Sequence, residues 1–404
     1  MNNLLSEFTH LSNQCKCGRE HFEITMEKVI VNKGALKEAA SFIKDKSFNR
    51  IVIVVDKNTH DVAGQTFTDL FNSSEVEVDV CMIKEDEQND VVANEESIVQ
   101  LLLAVSKSTD VLVAVGAGTI HDITRFVSSK MDKPFISIPT AASVDGFNSM
   151  GAPLVIRGVK MTYQTQAPIA VFADVDILLR APRKMTAAGF GDMLGKSTSL
   201  ADWRFGHLIG NEPFCPLAYR LTEEALQACI TNVEKIAAGE EEGIKVLTES
   251  LIQSGIAMLL IGHSYPASGA EHHLSHYWEM DFIRNKKAQV LHGAKVSISC
   301  WLISDFYRSE VTDAINQLER STLENELINK VLEHKEDVLE IIKGIPEAVN
   351  LKEMIAIVGG ETEPSQLGID QDLLQKSFRE AHLIRERFTF LRFYNQYIGN
   401  ATNR

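Results

Sequence analysis

The segment Ser268–Gly293, SGAEHHLSHYWEMDFIRNKKAQVLHG, holds four of the chain's twelve histidines. His272 and His276 stand at i,i+4, so on a helix both imidazoles project from one face. His292 directly precedes Gly293, where the chain can turn sharply and a new helix can begin, and Glu271 and Glu279 add carboxylates nearby. Two histidines on one helix and a third on the next element could form part of a metal site with an open coordination position. Histidines on a helix are also ordinary polar surface or satisfied core residues. The segment alone leaves both readings open.

Four further stretches carry residues fit for chemistry. Gly116-Ala117-Gly118-Thr119-Ile120-His121-Asp122 follows a β-branched run and opens a helical pattern. Glycines there let the backbone approach a pyrophosphate, which helix N-terminal amides can bind, although the third glycine of the dinucleotide fingerprint is missing. Asp56 ends the run IVIVVD; it could accept hydrogen bonds from an adenosine ribose, or simply cap a helix. PTAASVDGFNS (139–149) is dense in small hydroxyl residues around Asp145, suiting a ligand loop or a plain turn. AAGFGDMLGK (187–196) places Asp192 near a helix start with Lys196 one turn on, where an i,i+4 ion pair is the simple alternative. Cys15-x-Cys17 with His21 has an unusual metal spacing and no second pair, so it reads as structural.

These residues need elements to position them. NRIVIVVD (49–56), VEVDVCMI (76–83), TDVLVAVGAG (109–118) and KPFISIPTAAS (133–143) read as strands alternating with helices near 34–46, 58–72 and 94–107. That alternation predicts βαβ units and a parallel sheet with ligands at the carboxyl ends of its strands. From about residue 181 β-branched runs become scarce and helical periodicity dominates, with long helices expected over 222–238 and 240–260. The expected architecture is a Rossmann-like α/β domain over 1–180, with 1–27 a polar extension, followed by an all-helical domain over 181–404.

Bulk properties narrow the function. A chain of 404 residues exceeds one hydrophobic core. Its net charge of −15 disfavours nucleic-acid binding. Six cysteines do not make a disulfide framework in so long a chain, no secretory signal pattern opens it, and the apolar run 256–261 is too short to span a bilayer. The expectation is a cytoplasmic protein without a membrane span.

Taken in order, GAGTIHD, PTAASVDGFNS, IAVFADVDIL, GFGDMLGKSTSLADW, PASGAEHHLSH and LHGAKV resemble the sn-glycerol-1-phosphate dehydrogenases, nearest the bacterial NAD(P)-dependent members. These lie in the superfamily of dehydroquinate synthases and iron-type alcohol dehydrogenases. The resemblance covers about residues 28–300. It implies a nucleotide domain and a helical metal-bearing domain with the active site between them. It also implies interconversion of dihydroxyacetone phosphate and sn-glycerol 1-phosphate with NAD(H), NADP(H) remaining open, and a place in lipid metabolism.

Carried over by motif, Asp192, His272 and His292 hold one divalent metal, nickel or zinc, and Asp192 and His276 serve catalysis. Asp145, Asp192 and His276 meet the substrate. Asp56, Gly116, Gly118, Thr119, Ile120, His121, Asp122, Thr140, Ala141, Ala142, Ser143 and Ser149 contact the dinucleotide. Iron-type alcohol dehydrogenases have a histidine ligand where this chain has Lys196, which argues against that branch. Lys160, Lys196 and Arg183 are candidates by charge for the substrate phosphate. A homodimer is expected from the family. A glycerol or polyol dehydrogenase, a dehydroquinate synthase-like lyase and a non-catalytic nucleotide-binding protein are the alternatives.

Overall fold

Runs of β-branched residues without polar alternation form strands buried on both faces. The computed structural model describes residues 2–318 and 325–398. Its strands are β1 (Lys28–Asn32), β2 (Arg50–Val55), β3 (Glu77–Met82), β4 (Val111–Gly116), β5 (Phe135–Pro139), β6 (Gly151–Ile156), β7 (Val159–Gln164) and β8 (Ala170–Asp174). Six of them form one parallel sheet in the order β1-β8-β5-β4-β2-β3. Alternate residues of β2 serve opposite faces. Ile51, Ile53 and Val55 pack with Ile43 and Phe67, whereas Val52 and Val54 pack with Leu101 and Ile123. The carboxyl ends of β2, β4 and β5 carry Asp56, the glycine turn and the Thr140–Ser149 loop.

The sequence reading missed an antiparallel hairpin. β6 and β7 pair from Gly151↔Gln164 to Ile156↔Val159, and the turn residues Arg157 and Gly158 take positive φ. β7 is largely exposed, so it lacks the apolar signal of the sheet strands.

After Asp174 the regular elements among the described residues are all helical. The principal helices are Arg183–Leu194, Lys196–Leu208, Pro216–Thr231, Glu241–Ile261, Ala270–Arg284 and His292–Phe306. The helix expected over 222–238 starts earlier, at Pro216, because a proline suits the first helical turn. It stops at Thr231, and Val233–Ala238 is a separate helix. Glu241–Ile261 is long and apolar enough to cross a membrane, unlike the short apolar run considered alone, but 67% of its apolar window is buried inside the protein. Its Leu247 and Leu251 share one core with Val29 and Val31 of β1 and Val171 of β8, so sheet edge and helical half pack as a continuous body.

Residues 1–27 are not a polar extension throughout. Asn2–Gln14 is a helix whose Leu5 and Phe8 are buried in that same core. Their apolar spacing was legible, but too short to stand out from the polar residues between.

Candidate metal centre and nucleotide cleft

Two helices meet backbone to backbone where the candidate ligands lie. A Cβ on Gly293 would run into the Ala188 carbonyl, and one on Gly191 would stand 2.6 Å from the Gly293 carbonyl oxygen. Only glycine allows helix Arg183–Leu194, which carries Asp192, to touch the start of helix His292–Phe306 this closely. One ligand atom each from Asp192, His272 and His292 lies within 4.8 Å of the other two. The His272 and His292 rings are 5.2 Å apart, and the His276 ring is 5.5 Å from His292.

The surroundings orient these donors. His272 Nδ1 is 2.7 Å from Glu271 Oε1, and Glu271 also accepts from the Thr198 hydroxyl (2.7 Å) and the Gly269 N–H (2.6 Å). The carboxylate on Nδ1 holds that nitrogen's proton, so it is Nε2, 3.7 Å from Asp192 Oδ1, that would give up its proton and offer a lone pair to a metal. Burial lowers the His272 pKa, but hydrogen bonds to Asp192 and Glu271 outweigh it and hold the group above its ordinary value. Burial pushes His292 down to about 3. His292 Nδ1 is buried without a hydrogen-bond partner, a cost that metal coordination would remove. Two imidazoles, one carboxylate and a buried unsatisfied nitrogen fit a divalent ion.

Asp192 is braced from two sides. Its Oδ2 accepts the Asp145 N–H at 2.9 Å, and its Oδ1 accepts from Lys196 Nζ at 2.9 Å. Lys196 Nζ also lies 2.9 Å from Asp145 Oδ2, which in turn accepts from the Ser254 hydroxyl at 2.8 Å. Burial raises the pKa of Asp192, but Lys196 and the histidines overcome this and hold it well below the usual carboxylate range. The ion pair weighed as the simple alternative for Lys196 is therefore present, and it is part of the site.

The metal candidates open on a cleft of about 1180 Å³, larger than the roughly 300–1,000 Å³ of an ordinary small-molecule pocket. Gly118, Thr119, Asp122, Ser143, Asp145 and Ser149 line it together with His272, His276 and His292. The remaining nucleotide candidates do not. Asp56 accepts the Thr59 N–H at 2.7 Å and caps its own helix. Ile120 is packed beneath Gly116, where an added Cβ would meet it at 2.6 Å. His121 is fully buried, with Nε2 2.8 Å from the Ser137 hydroxyl. Thr140, Ala141 and Ala142 are buried in the loop after β5.

The phosphate candidates also separate. Lys160, on the unforeseen hairpin, lines the cleft and pairs with Glu279 at 2.7 Å. Lys196 is fully buried between its two carboxylates. Arg183 bonds the Ala237 carbonyl and does not line the cleft. Sequence reasoning missed Arg385. Its guanidinium enters the cleft 3.4 Å from the Ser268 and Thr162 hydroxyls and 3.5 Å from His276 Nε2, with no carboxylate in ion-pair range among the described residues. Burial and the neighbouring Arg387 lower its pKa. No motif marks Arg385, which follows the last recognisable motif by some ninety residues.

The sequence model described as "Iron-containing alcohol dehydrogenase" matches residues 30–182. The chain is 49% identical over 401 residues to "Glycerol-1-phosphate dehydrogenase [NAD(P)+]" of Geobacillus stearothermophilus, covering 98% of this chain and 99% of that one. The chain belongs to the glycerol-1-phosphate dehydrogenase family. A Pyrococcus furiosus member is 31% identical, covering 90% of this chain and 92% of its own. Within this NAD(P)-dependent oxidoreductase family the fold is that of iron-type alcohol dehydrogenases. The crystal structure of sulfoacetaldehyde reductase from Bifidobacterium kashiwanohense in complex with NAD+ superposes with a TM-score of 0.67 at 15% identity, covering 94% of this chain and 98% of that one.

Proposed function

We propose that the protein interconverts dihydroxyacetone phosphate and sn-glycerol 1-phosphate, with residues 1–180 serving the nucleotide and 181–404 the metal and substrate. The convergence of Asp192, His272 and His292, with the two histidines lining a cleft that the glycine turn also lines, carries this reading. When bound, a divalent ion supplies Lewis-acid polarisation of the C2 oxygen and the nicotinamide supplies or takes the hydride. Asp192, His272 and His292 would hold that ion, nickel or zinc by family resemblance. The amides opening helix Gly118–Lys130 receive the pyrophosphate.

Arg385, a half-buried cation with no carboxylate partner among the described residues, receives the substrate phosphate, with Lys160 beside it. The extra cation is the specific feature that favours a phosphorylated substrate over glycerol. His276 handles the hydroxyl proton. Burial holds it well below its ordinary pKa, so near neutral pH its Nε2 carries a lone pair toward Arg385 and the substrate position. Glu279 Oε2 lies 3.6 Å from Nδ1 and steadies the ring in the proton-accepting orientation. Asp145 keeps Asp192 in place and presents its other edge to the substrate hydroxyls.

Six free thiols support a reducing, cytoplasmic setting. A homodimer is supported by the family resemblance and by Val80 and Met82, exposed on the edge strand β3.

The test is NADH oxidation with dihydroxyacetone phosphate by protein stripped with a chelator and reconstituted with nickel or zinc. The reading requires activity that metal restores and that falls sharply with unphosphorylated dihydroxyacetone. Equal rates on both substrates would point instead to a polyol dehydrogenase.

A further inference from the structure

A second set of metal-binding side chains lies outside the cleft. The loop after helix Asn2–Gln14 brings Cys15, Cys17 and His21 against Cys215, at the start of helix Pro216–Thr231, and one donor atom from each lies within 4.8 Å of all the others. Cys15 Sγ is 3.8 Å from Cys215 Sγ, while His21 Nε2 is 3.4 Å from Cys17 Sγ and 3.3 Å from Cys215 Sγ. Metal–sulfur bonds of about 2.3 Å and a metal–nitrogen bond of about 2.0–2.1 Å at tetrahedral angles give sulfur–sulfur edges of about 3.8 Å and sulfur–nitrogen edges of about 3.5 Å. The observed separations match that tetrahedron. They do not match a disulfide, whose sulfurs stand about 2.05 Å apart.

Two contacts beyond the donors point the same way. His21 Nδ1 is 3.2 Å from the Ser12 carbonyl oxygen, which can only accept, so Nδ1 carries the proton and Nε2 turns its lone pair toward the sulfurs. The Ala218 N–H, at the start of helix Pro216–Thr231, donates to Cys215 Sγ at 3.5 Å, a contact that would orient and satisfy a metal-bound sulfur. Gly18, with φ 75°, makes the turn that lets the chain leave Cys17 and return with His21.

We propose that Cys15, Cys17, His21 and Cys215 hold a structural zinc ion, separate from the catalytic metal. Three thiolates and one imidazole in a tetrahedron suit zinc. With four protein donors the set is closed and leaves no position for substrate. Binding releases the thiol protons, so the site weakens in acid. Its role is mechanical. Residues 15–27 contain no helix or strand, and the ion fastens them to the helical half some 200 residues away. The fastened loop reaches the cleft rim, where the Phe22 N–H donates to the Leu260 carbonyl at 2.9 Å and the Phe22 ring covers Gly262.

The full-length protein is to be loaded with cobalt(II), whose thiolate complexes absorb by charge transfer in the near ultraviolet. The wild type is expected to show that band and to bind one metal ion per chain more than the Cys17→Ser/Cys215→Ser variant, which keeps the cleft metal and loses the band. His21→Cys is expected to retain the band, and zinc-loaded wild type to melt several degrees above its zinc-free form. A second measurement needs no variant: in native protein, zinc is to protect Cys15 and Cys17 from alkylation, and chelation is to expose them. Cobalt-loaded wild type without thiolate charge transfer, alkylation indifferent to zinc, or a Cys15–Cys215 disulfide found by peptide mapping would each overturn the proposal.

Discussion

Lys196 Nζ lies 2.9 Å from Asp192 Oδ1, with both side chains fully buried. The same ammonium meets Asp145 at 2.9 Å, so one cation is shared between two carboxylates in the wall of the candidate metal site. Removing one partner of such a cluster leaves uncompensated buried charge. Lys196→Met is expected to destabilise metal-free protein by about 3–5 kcal/mol. Bound metal would replace part of the lost positive charge, so the gap in melting temperature between metal-loaded and metal-free protein should widen. Calorimetry of both forms checks this, and an unchanged gap would mean that Lys196 and the metal do not act on the same carboxylate.

Glu271 fixes the tautomer of His272 through a 2.7 Å contact. Glu271→Gln should weaken metal binding about 10–100-fold without removing a ligand. Competitive titration against a chromogenic chelator measures it.

Arg385 is assigned to the phosphate by its position alone. Arg385→Ala should raise KM for dihydroxyacetone phosphate about 10–100-fold, the effect of losing a hydrogen bond to a charged group. Activity on unphosphorylated dihydroxyacetone should change little. Equal losses on both substrates would assign Arg385 to the architecture of the cleft.

Lys295 is buried, its Nζ without a hydrogen-bond partner and 3.4 Å from Glu279 Oε2. Burial, only partly offset by Glu279, pushes its pKa down to about 8. The unfolded chain therefore takes up this proton more readily than the folded one, between about pH 8 and the ordinary lysine value of about 10.4. Wild type should gain stability relative to Lys295→Met as pH rises through that window and lose it again as pH falls through about 8. Urea unfolding of both proteins on either side of about pH 8 reads the difference.

The parts of the fold legible in sequence were those that local chemistry dictates. β2, β4 and β5 are apolar on both faces, and Gly191 and Gly293 stand inside the motifs GFGDMLGKSTSLADW and LHGAKV. His272 and His276 declared their helix by i,i+4 spacing, and the family motifs supplied Asp192, which no local rule could have brought beside them. What escaped was what depends on distance in three dimensions. Of the β6–β7 hairpin, β7 is largely exposed and carries no burial signal, and Lys160 was a candidate by charge without a location. Arg385 has no motif around it. Cys15-x-Cys17 looked incomplete because its fourth donor, Cys215, lies 200 residues away and is supplied only by the packing of the N-terminal helix on the helical half. Asp56, Ile120 and His121 show the converse: the motifs carrying them are present, but their side chains cap a helix or fill the space beneath the cleft.

The central claim is that Asp192, His272 and His292 hold the catalytic metal, and anomalous X-ray diffraction from crystals of the nickel- or zinc-loaded protein tests it most directly. The account expects a strong anomalous peak within bonding distance of all three side chains, lost in His272→Ala and His292→Ala and kept in His276→Ala, which loses turnover. An active, metal-loaded crystal with no peak among these three residues would contradict it.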